Sequence, residues 1–307
     1  MEIFINLIVL TASLGVLVFL GEKLINSALR LARAFGVSPA VIGLTVLAYG
    51  TSLPEFVVSS IAAVKQYSDL SVSNVVGSNI YNIAFILGVA SIISPLFIKE
   101  RVFVKRDGLV MLFAAVILCL FAYLGKIGRL SGMVMVVFIA GYTYFIIRHD
   151  RGHSNVESDK NLSKIKETVV VVLLLAGVLI SGYFTVDYAV KLARSAGVAE
   201  WLIGATIVAA GTSLPETVVS IIAARKGEYA MSIGNIVGSN IFNILWILGF
   251  ASILHPLTID FHKIYPDLIF LVTITLFLYA ALCKGRLTKG EGMLYISLYI
   301  GYIYYLL

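Results

Sequence analysis

The 307-residue sequence predicts an all-α integral membrane protein, with ten transmembrane helices in two inverted five-helix repeats and broken second and seventh helices. Three observations predict it. The chain is 60% hydrophobic and only 13% charged, where a soluble domain carries about 25% charged residues. Apolar runs such as 3–20, 108–124 and 268–282 approach the ~20 residues that cross ~30 Å of hydrocarbon. Finally, Gly50-Thr51-Ser52-Leu53-Pro54-Glu55 returns 161 residues later as Gly211-Thr212-Ser213-Leu214-Pro215-Glu216.

The duplication covers almost the whole chain. From Gly43 to Ser60, 12 of 18 positions match Gly204 to Ile221, and from Asn74 to Ile83, 8 of 10 match Asn235 to Ile244. Leu31-Ala32-Arg33 returns as Leu192-Ala193-Arg194, and Gly141-Tyr142 as Gly301-Tyr302. Each half reads as five spans: roughly 2–33, 38–64, 71–96, 105–125 and 130–148, then 165–195, 200–225, 230–256, 264–283 and 288–307. A first repeat, 1–148, is thus joined by a short cytoplasmic linker, 149–164, to a second, 165–307. Five is odd, so the second repeat enters the membrane from the opposite side, an arrangement common in secondary transporters.

Charge placement orients the chain. With the N-terminus outside, 16 Lys and Arg fall on the inner side, from Arg30 and Arg33 to Lys289. Six fall outside: Lys65, Lys126, Arg129, Lys191, Arg194 and Lys263. The positive-inside rule therefore favours both termini outside, in a cell (plasma) membrane. The start carries only Glu2 before its apolar run, so it reads as a first span and not a cleavable signal. Cys119 and Cys283 lie in apolar runs and predict no disulfide framework. Asn161-Leu162-Ser163 reads as a chance sequon. The pI near 9.2 reflects the inner loops, not a nucleic-acid surface. The expected partners are inorganic cations and the lipid bilayer; no motif marks a protein partner, a nucleic acid or a cofactor.

Most of the 17 acids lie in loops or near helix ends. Glu22 and Asp187 fall in the amphipathic parts of the first and sixth spans and do not obey the repeat. Glu55 and Glu216 do, each mid-span among apolar residues. An ionisable side chain there costs about 2.5–3.5 kcal/mol on insertion scales and marks function. Pairing with a Lys or Arg would be the structural explanation, but the second, third, seventh and eighth spans hold none away from their ends.

Pro54 and Pro215 remove a backbone donor and clash with the carbonyls of Gly50 and Gly211. The second and seventh spans are expected to break there, leaving carbonyls at Ala48, Gly50 and Thr51, and at Ala209, Gly211 and Thr212, without helical partners. Such ends attract cations. A single copy would read as an ordinary proline kink; two copies beside two glutamates do not. In the third and eighth spans Asn74, Ser78 and Asn82, and Asn235, Ser239 and Asn243, are spaced i, i+4, i+8 on one face. Ser78, Asn82, Ser239 and Asn243 read as ligands. Ser59, Ser220, Asn74 and Asn235 suit ligation and helix–helix glue equally. The donors are all oxygens, without His or Cys, which suits hard cations such as Ca²⁺ and Na⁺ and not Zn²⁺ or copper.

These motifs resemble the two α-repeats of the cation/Ca²⁺ exchanger superfamily, especially its sodium/calcium exchanger branch. The resemblance implies that Glu55 and Glu216 are the central Ca²⁺ ligands. It also implies that Thr51, Thr212, Ser52, Ser213, Ala48, Ala209, Ser78, Asn82, Ser239 and Asn243 line Ca²⁺ and Na⁺ sites. The long first and sixth helices would slide over the rest to alternate access. Animal exchangers of this family carry a large Ca²⁺-sensing insert between the halves, where this chain has a short linker. Potassium-dependent members carry Asp where this chain has Asn243, which argues against K⁺ co-transport. The expected activity is secondary active Na⁺/Ca²⁺ antiport, not enzymatic. The alternatives are H⁺/Ca²⁺ antiport on the same fold, a passive cation channel, and an intramembrane hydrolase using Ser52 or Ser213. The last lacks a core His or Lys to act as base.

Overall fold

The computed structural model describes residues 2–97, 101–153, 156, 158–159, 161–198 and 209–306. In chain order the helices of the first half are α1 (Glu2–Phe35), α2 (Pro39–Thr51), α3 (Leu53–Val64), α4 (Ser68–Ile93), α5 (Arg101–Tyr123) and α6 (Arg129–His153). The second half contributes α7 (Lys164–Ser195), α8 (Ala209–Thr212), α9 (Leu214–Arg225), α10 (Tyr229–Leu254), α11 (Phe261–Lys284) and α12 (Lys289–Leu306). Four two-residue strands lie in the connections: β1 (Leu96–Phe97), β2 (Lys126–Ile127), β3 (Leu257–Thr258) and β4 (Arg286–Leu287).

Among the described residues seven helices are long and apolar enough to cross a membrane, and α2 with α3, bent by 48°, forms an eighth. The first half of the expected seventh span, 200–208, lies outside the described residues. Helix α12 is not among the seven; five tyrosines lower its hydropathy.

Local chemistry sets the ends. Ser38 caps α2, with Pro39 at its first position and Asp150 accepting the Ser38 amide at 2.6 Å. A capping oxygen satisfies one of the amides that a helix start leaves unpaired. Gly285 closes α11 in the left-handed region, φ 83°, where only glycine sits without strain. Ser163 and Asp260 cap α7 and α11.

The burial pattern is inverted relative to a soluble protein. Large apolar side chains are exposed along the outer helices, such as Phe4, Phe19, Phe113, Leu173, Ile269 and Ile300, as a lipid-facing surface requires. Polar side chains concentrate inside. Helix α10 is the most enclosed, with every residue from Met231 to Phe242 buried. Helices α1 and α7 form a separate block whose core is Leu17, Leu24, Val171, Leu175 and Val178, packed on Val219 and Ile222 of α9. Side-chain ties across this pair are few: Thr185 donates to Ser13 at 3.1 Å, and Arg30 pairs with Glu167 at 2.9 Å.

The halves repeat in three dimensions. The α3–α4 hairpin is held by Asn74 Nδ2 donating to Ser59 Oγ at 2.9 Å, and the α9–α10 hairpin by Asn235 Nδ2 donating to Ser220 Oγ at 2.9 Å. These four residues, open between ligation and helix–helix glue in the sequence, are tied to each other. Two antiparallel ribbons join the halves: β1 pairs with β4 and β2 with β3. Exchanging the halves converts one ribbon into the other.

Three features depart from the expectation. The stripes at i, i+4, i+8 do not run along regular α-helix. Tyr81–Ile86 and Asn243–Leu248 are π-helical, as is Gly43–Leu47 in α2; such turns are rare and frequent at functional sites. The break in the second span falls at Ser52, φ −80° and ψ 11°. The Ala48 carbonyl there accepts the Ser52 amide at 3.1 Å, so it is not bare. Its second lone pair takes hydroxyls instead, from Ser239 and Thr51, both at 3.4 Å. Asp107 was expected near a helix end; it is fully buried within α5.

Candidate cation site

Glu55 and Glu216 each sit in the first turn of the helix that follows a break, at α3 and α9. Proline at the second helical position fixes φ and needs no amide partner. Each carboxylate then projects back toward the break of the other half. Ser213 donates to Glu55 Oε1 at 2.6 Å, and Ser52 donates to Glu216 Oε1 at 2.9 Å. The Thr212 and Thr51 hydroxyls face the same two carboxylates, Glu55 and Glu216 respectively. The two acids are close enough to feel each other's charge.

Both are completely enclosed, Glu55 at 1% exposure and Glu216 at 0%. No ion pair among the described residues reaches either. An isolated carboxylate in such a place is paired, metal-bound or neutralised. Each keeps one oxygen, Oε2, without any hydrogen-bond partner. Around them are further oxygens of the same kind. Ser78 donates to Glu55 Oε1 at 3.4 Å. Neither polar atom of Asn82 is bonded, and Asn243 keeps a free Oδ1 while its amide donates to Asn79 at 3.0 Å. Asn79 in turn donates to the Asn240 carbonyl at 3.2 Å, which locks α4 against α10 across the halves.

The structure thus gathers Thr51, Ser52, Glu55, Ser78, Ser213, Glu216, Ser239 and the Ala48 carbonyl at the crossing of α2–α3, α4, α8–α9 and α10, with Asn82 and Asn243 buried four residues beyond Ser78 and Ser239 on α4 and α10. Thr212 is half-buried beside Glu55. Ala209 opens α8; its side chain lies outside what the structure describes. The serine–glutamate exchange between halves was not foreseen in the sequence, although the recurrence of Ser52 as Ser213 signals that both do the same thing. A cavity of about 530 Å³ lies elsewhere, between α11 and α12. Its walls, among them Tyr265, Ile269, Phe270, Leu298 and Tyr302, carry no carboxylate.

The chemistry of this crossing is that of a hard-cation site: two carboxylates with bare oxygens, neutral oxygens in excess, and no nitrogen or sulfur ligand. Ca²⁺ takes six to eight such oxygens. The pattern of the family described as sodium/calcium exchanger protein matches residues 5–148 and 166–307. The sodium/calcium exchanger MaX1 of Methanosarcina acetivorans is 31% identical over 98% of this chain and 98% of its own. The inner membrane protein YrbG of Escherichia coli is 32% identical over 92% of this chain and 90% of its own. A solved structure of the sodium-calcium exchanger NCX_Mj superposes with a TM-score of 0.86 at 31% identity, covering 99% of this chain and 100% of that one. On the repeats, the buried pair of glutamates and these matches, the chain belongs to the sodium/calcium exchanger family of multi-pass membrane transporters.

Proposed function

We propose that the chain exchanges Na⁺ for Ca²⁺ across the membrane by alternating access, with both ions competing for Glu55 and Glu216. The observation that carries this reading is the reciprocal pairing of each buried carboxylate with the serine of the opposite half, which leaves one bare oxygen on each. Two carboxylates neutralise one Ca²⁺, or carry Na⁺ in its place. Thr51, Thr212, Ser52, Ser213, Ala48, Ala209, Ser78, Asn82, Ser239 and Asn243 supply the remaining oxygens. A site emptied of cations holds uncompensated charge in a dry cavity, so the switch between faces proceeds only when it is loaded.

The architecture that goes with this reading is ten spans in two inverted halves, 1–148 and 165–307, joined by 149–164. The halves lie in a plasma membrane with both termini outside. Several contacts support it. Each β-ribbon pairs two connections that this topology puts on one side. The same holds for the amide of Asp159 on the Arg33 carbonyl, at 3.1 Å, and for Arg30 with Glu167. It holds also for Lys263 with Asp69, at 3.8 Å on the outer side. The relative MaX1 and the structure NCX_Mj are both named as sodium/calcium exchangers.

The test is radioactive Ca²⁺ uptake into liposomes that hold the purified protein, loaded with Na⁺ and diluted into Na⁺-free buffer. Uptake is expected to require internal Na⁺, to run against a Ca²⁺ gradient and to ignore K⁺. Uptake driven by a pH gradient without Na⁺ would instead assign H⁺ coupling to the same carboxylates. Flux that never concentrates Ca²⁺ would make the protein a channel.

The serine pairing makes a separate prediction. Ser52→Ala and Ser213→Ala each remove a hydrogen bond to a carboxylate, worth about 1.5–3 kcal/mol, or roughly tenfold to a hundredfold in affinity. Each variant is expected to raise the half-saturating Ca²⁺ concentration by at least about tenfold, and the two by similar amounts. A wild-type value in both would show that the serines do not act on the ion.

A further inference from the structure

The repeat contains a second pair of carboxylates. Asp107 in α5 and Asp267 in α11 are 160 residues apart, as are the tyrosines that bond them. Tyr142 donates to Asp107 Oδ1, and Tyr302 donates to Asp267 Oδ1 at 2.9 Å. What surrounds them differs. Asp107 is held by the guanidinium fork of its neighbour Arg106, at 2.7 and 3.0 Å. The residue before Asp267 is Pro266, and no ion pair among the described residues reaches Asp267. Lys263, one turn earlier, lies instead 3.7 Å from Asp260 and 3.8 Å from Asp69.

Space differs in the same way. In the half of the crossing that holds Gly238, α2 and α10 are closely packed: a Cβ on Gly238 would stand 2.3 Å from the Leu44 carbonyl. Its counterpart Gly77 has nothing within 4 Å of a built Cβ. Gly77 instead lines a cleft of about 240 Å³ together with Asn74, Ser78, Tyr81, Asp267 and Tyr302. The cleft's lining includes exposed Ser73 and buried Ser78, whose hydroxyl donates to Glu55. A carboxylate without an ion-pair partner among the described residues therefore stands in the wall of a cleft that shares Ser78 with the surroundings of Glu55.

We propose that Asp267 is a recruiting site for hydrated Ca²⁺ entering from the outer face, ahead of Glu55 and Glu216. This rests on the reading that those two glutamates take Ca²⁺. A single carboxylate with neutral hydroxyls beside it holds a divalent ion through its water shell without stripping it. It raises the local Ca²⁺ concentration and hence the rate of capture. Asp107, neutralised by Arg106, has no such role in this conformation.

The test is initial Ca²⁺ uptake into Na⁺-loaded liposomes at varied external Ca²⁺, for wild type, Asp267→Asn and Asp267→Glu. At low ionic strength Asp267→Asn is expected to raise the half-saturating Ca²⁺ about threefold to tenfold, with the maximal rate unchanged and Asp267→Glu close to wild type. In 1 M choline chloride, where screening acts within about 3 Å, the difference is expected to vanish. An unchanged half-saturation at low ionic strength overturns the proposal. So does a loss of maximal rate that persists at high salt, because that would make Asp267 only an anchor for Tyr302. Wild type that takes up no Ca²⁺ would defeat the exchanger reading itself, a result distinct from either.

Discussion

Glu55→Gln and Glu216→Gln are each expected to abolish Na⁺-driven Ca²⁺ uptake, a loss of about a hundredfold or more, while the protein still inserts and unfolds at or above the wild-type temperature. Glutamine matches the carboxylate in shape and removes its charge. Ca²⁺ in the altered site keeps one full positive charge where the surroundings are fully buried and, among the described residues, no third acid joins the two glutamates. An uncompensated charge at membrane depth costs about 2.5–3.5 kcal/mol even on insertion scales, and 2.7 kcal/mol is about a hundredfold. Stability moves the other way, because a buried carboxylate without a cationic partner is itself costly and the amide is less so. Uptake and thermal unfolding of the two variants, with and without Ca²⁺, check both halves of the expectation. Ca²⁺ raises the unfolding temperature of wild type by mass action and leaves the variants where they were. Near-normal exchange in either would remove the glutamates from the mechanism.

The second large effect comes from a matched pair of glycines. Gly238→Ala places a methyl 2.3 Å from the Leu44 carbonyl and 2.8 Å from Ala48 Cβ. Both are helix atoms that cannot rotate away, so α2 is forced off α10 beside the ion site. Overpacking of this kind costs about 1–3 kcal/mol, more than the ~1 kcal/mol that alanine gains over glycine in a helix. A lower unfolding temperature and a loss of exchange are expected. Gly77→Ala meets nothing within 4 Å, so only the propensity gain remains and the unfolding temperature rises. On the proposed alternating access, the cleft at Gly77 would close as the crossing at Gly238 is closed. Gly77→Ala is therefore expected to slow turnover even as it stabilises. Equal behaviour of the two variants in both assays would show that the difference in packing has no bearing on transport.

Much of the site was legible in the sequence because the chain states it twice. Glu55 and Glu216 stood out because carboxylates are expensive in apolar spans, and the break was announced by Pro54 and Pro215. What escaped were features without a periodic signature. A π-turn inserts one residue into a helix and leaves the hydrophobic pattern almost unchanged, so Asn82 and Asn243 read as members of regular stripes. The serine–glutamate exchange is a contact across 158 to 164 positions, which spacing within one helix cannot show. Two-residue ribbons are too short to alternate. Asp107 and Asp267 were set aside as acids near helix ends, because depth in the fold is decided by neighbours and not by distance from a helix start. The Ala48 carbonyl was expected bare because proline arguments count lost amides; the Ser52 amide reaches it across the bend.

The exchange of serines also bears on how such a molecule could arise. Because Glu55 takes its hydroxyl from the 165–307 half and Glu216 takes its own from the 1–148 half, neither half can assemble a finished site alone. The described residues of the covalent link between them bond to no member of that site. An ancestral gene encoding one half, inserted into the bilayer in both orientations, could have built the same chamber from two identical subunits. Duplication and fusion would then have fixed the partners one to one. Only afterwards could the copies drift apart, one keeping Arg106 beside its aspartate and the other replacing it with Pro266.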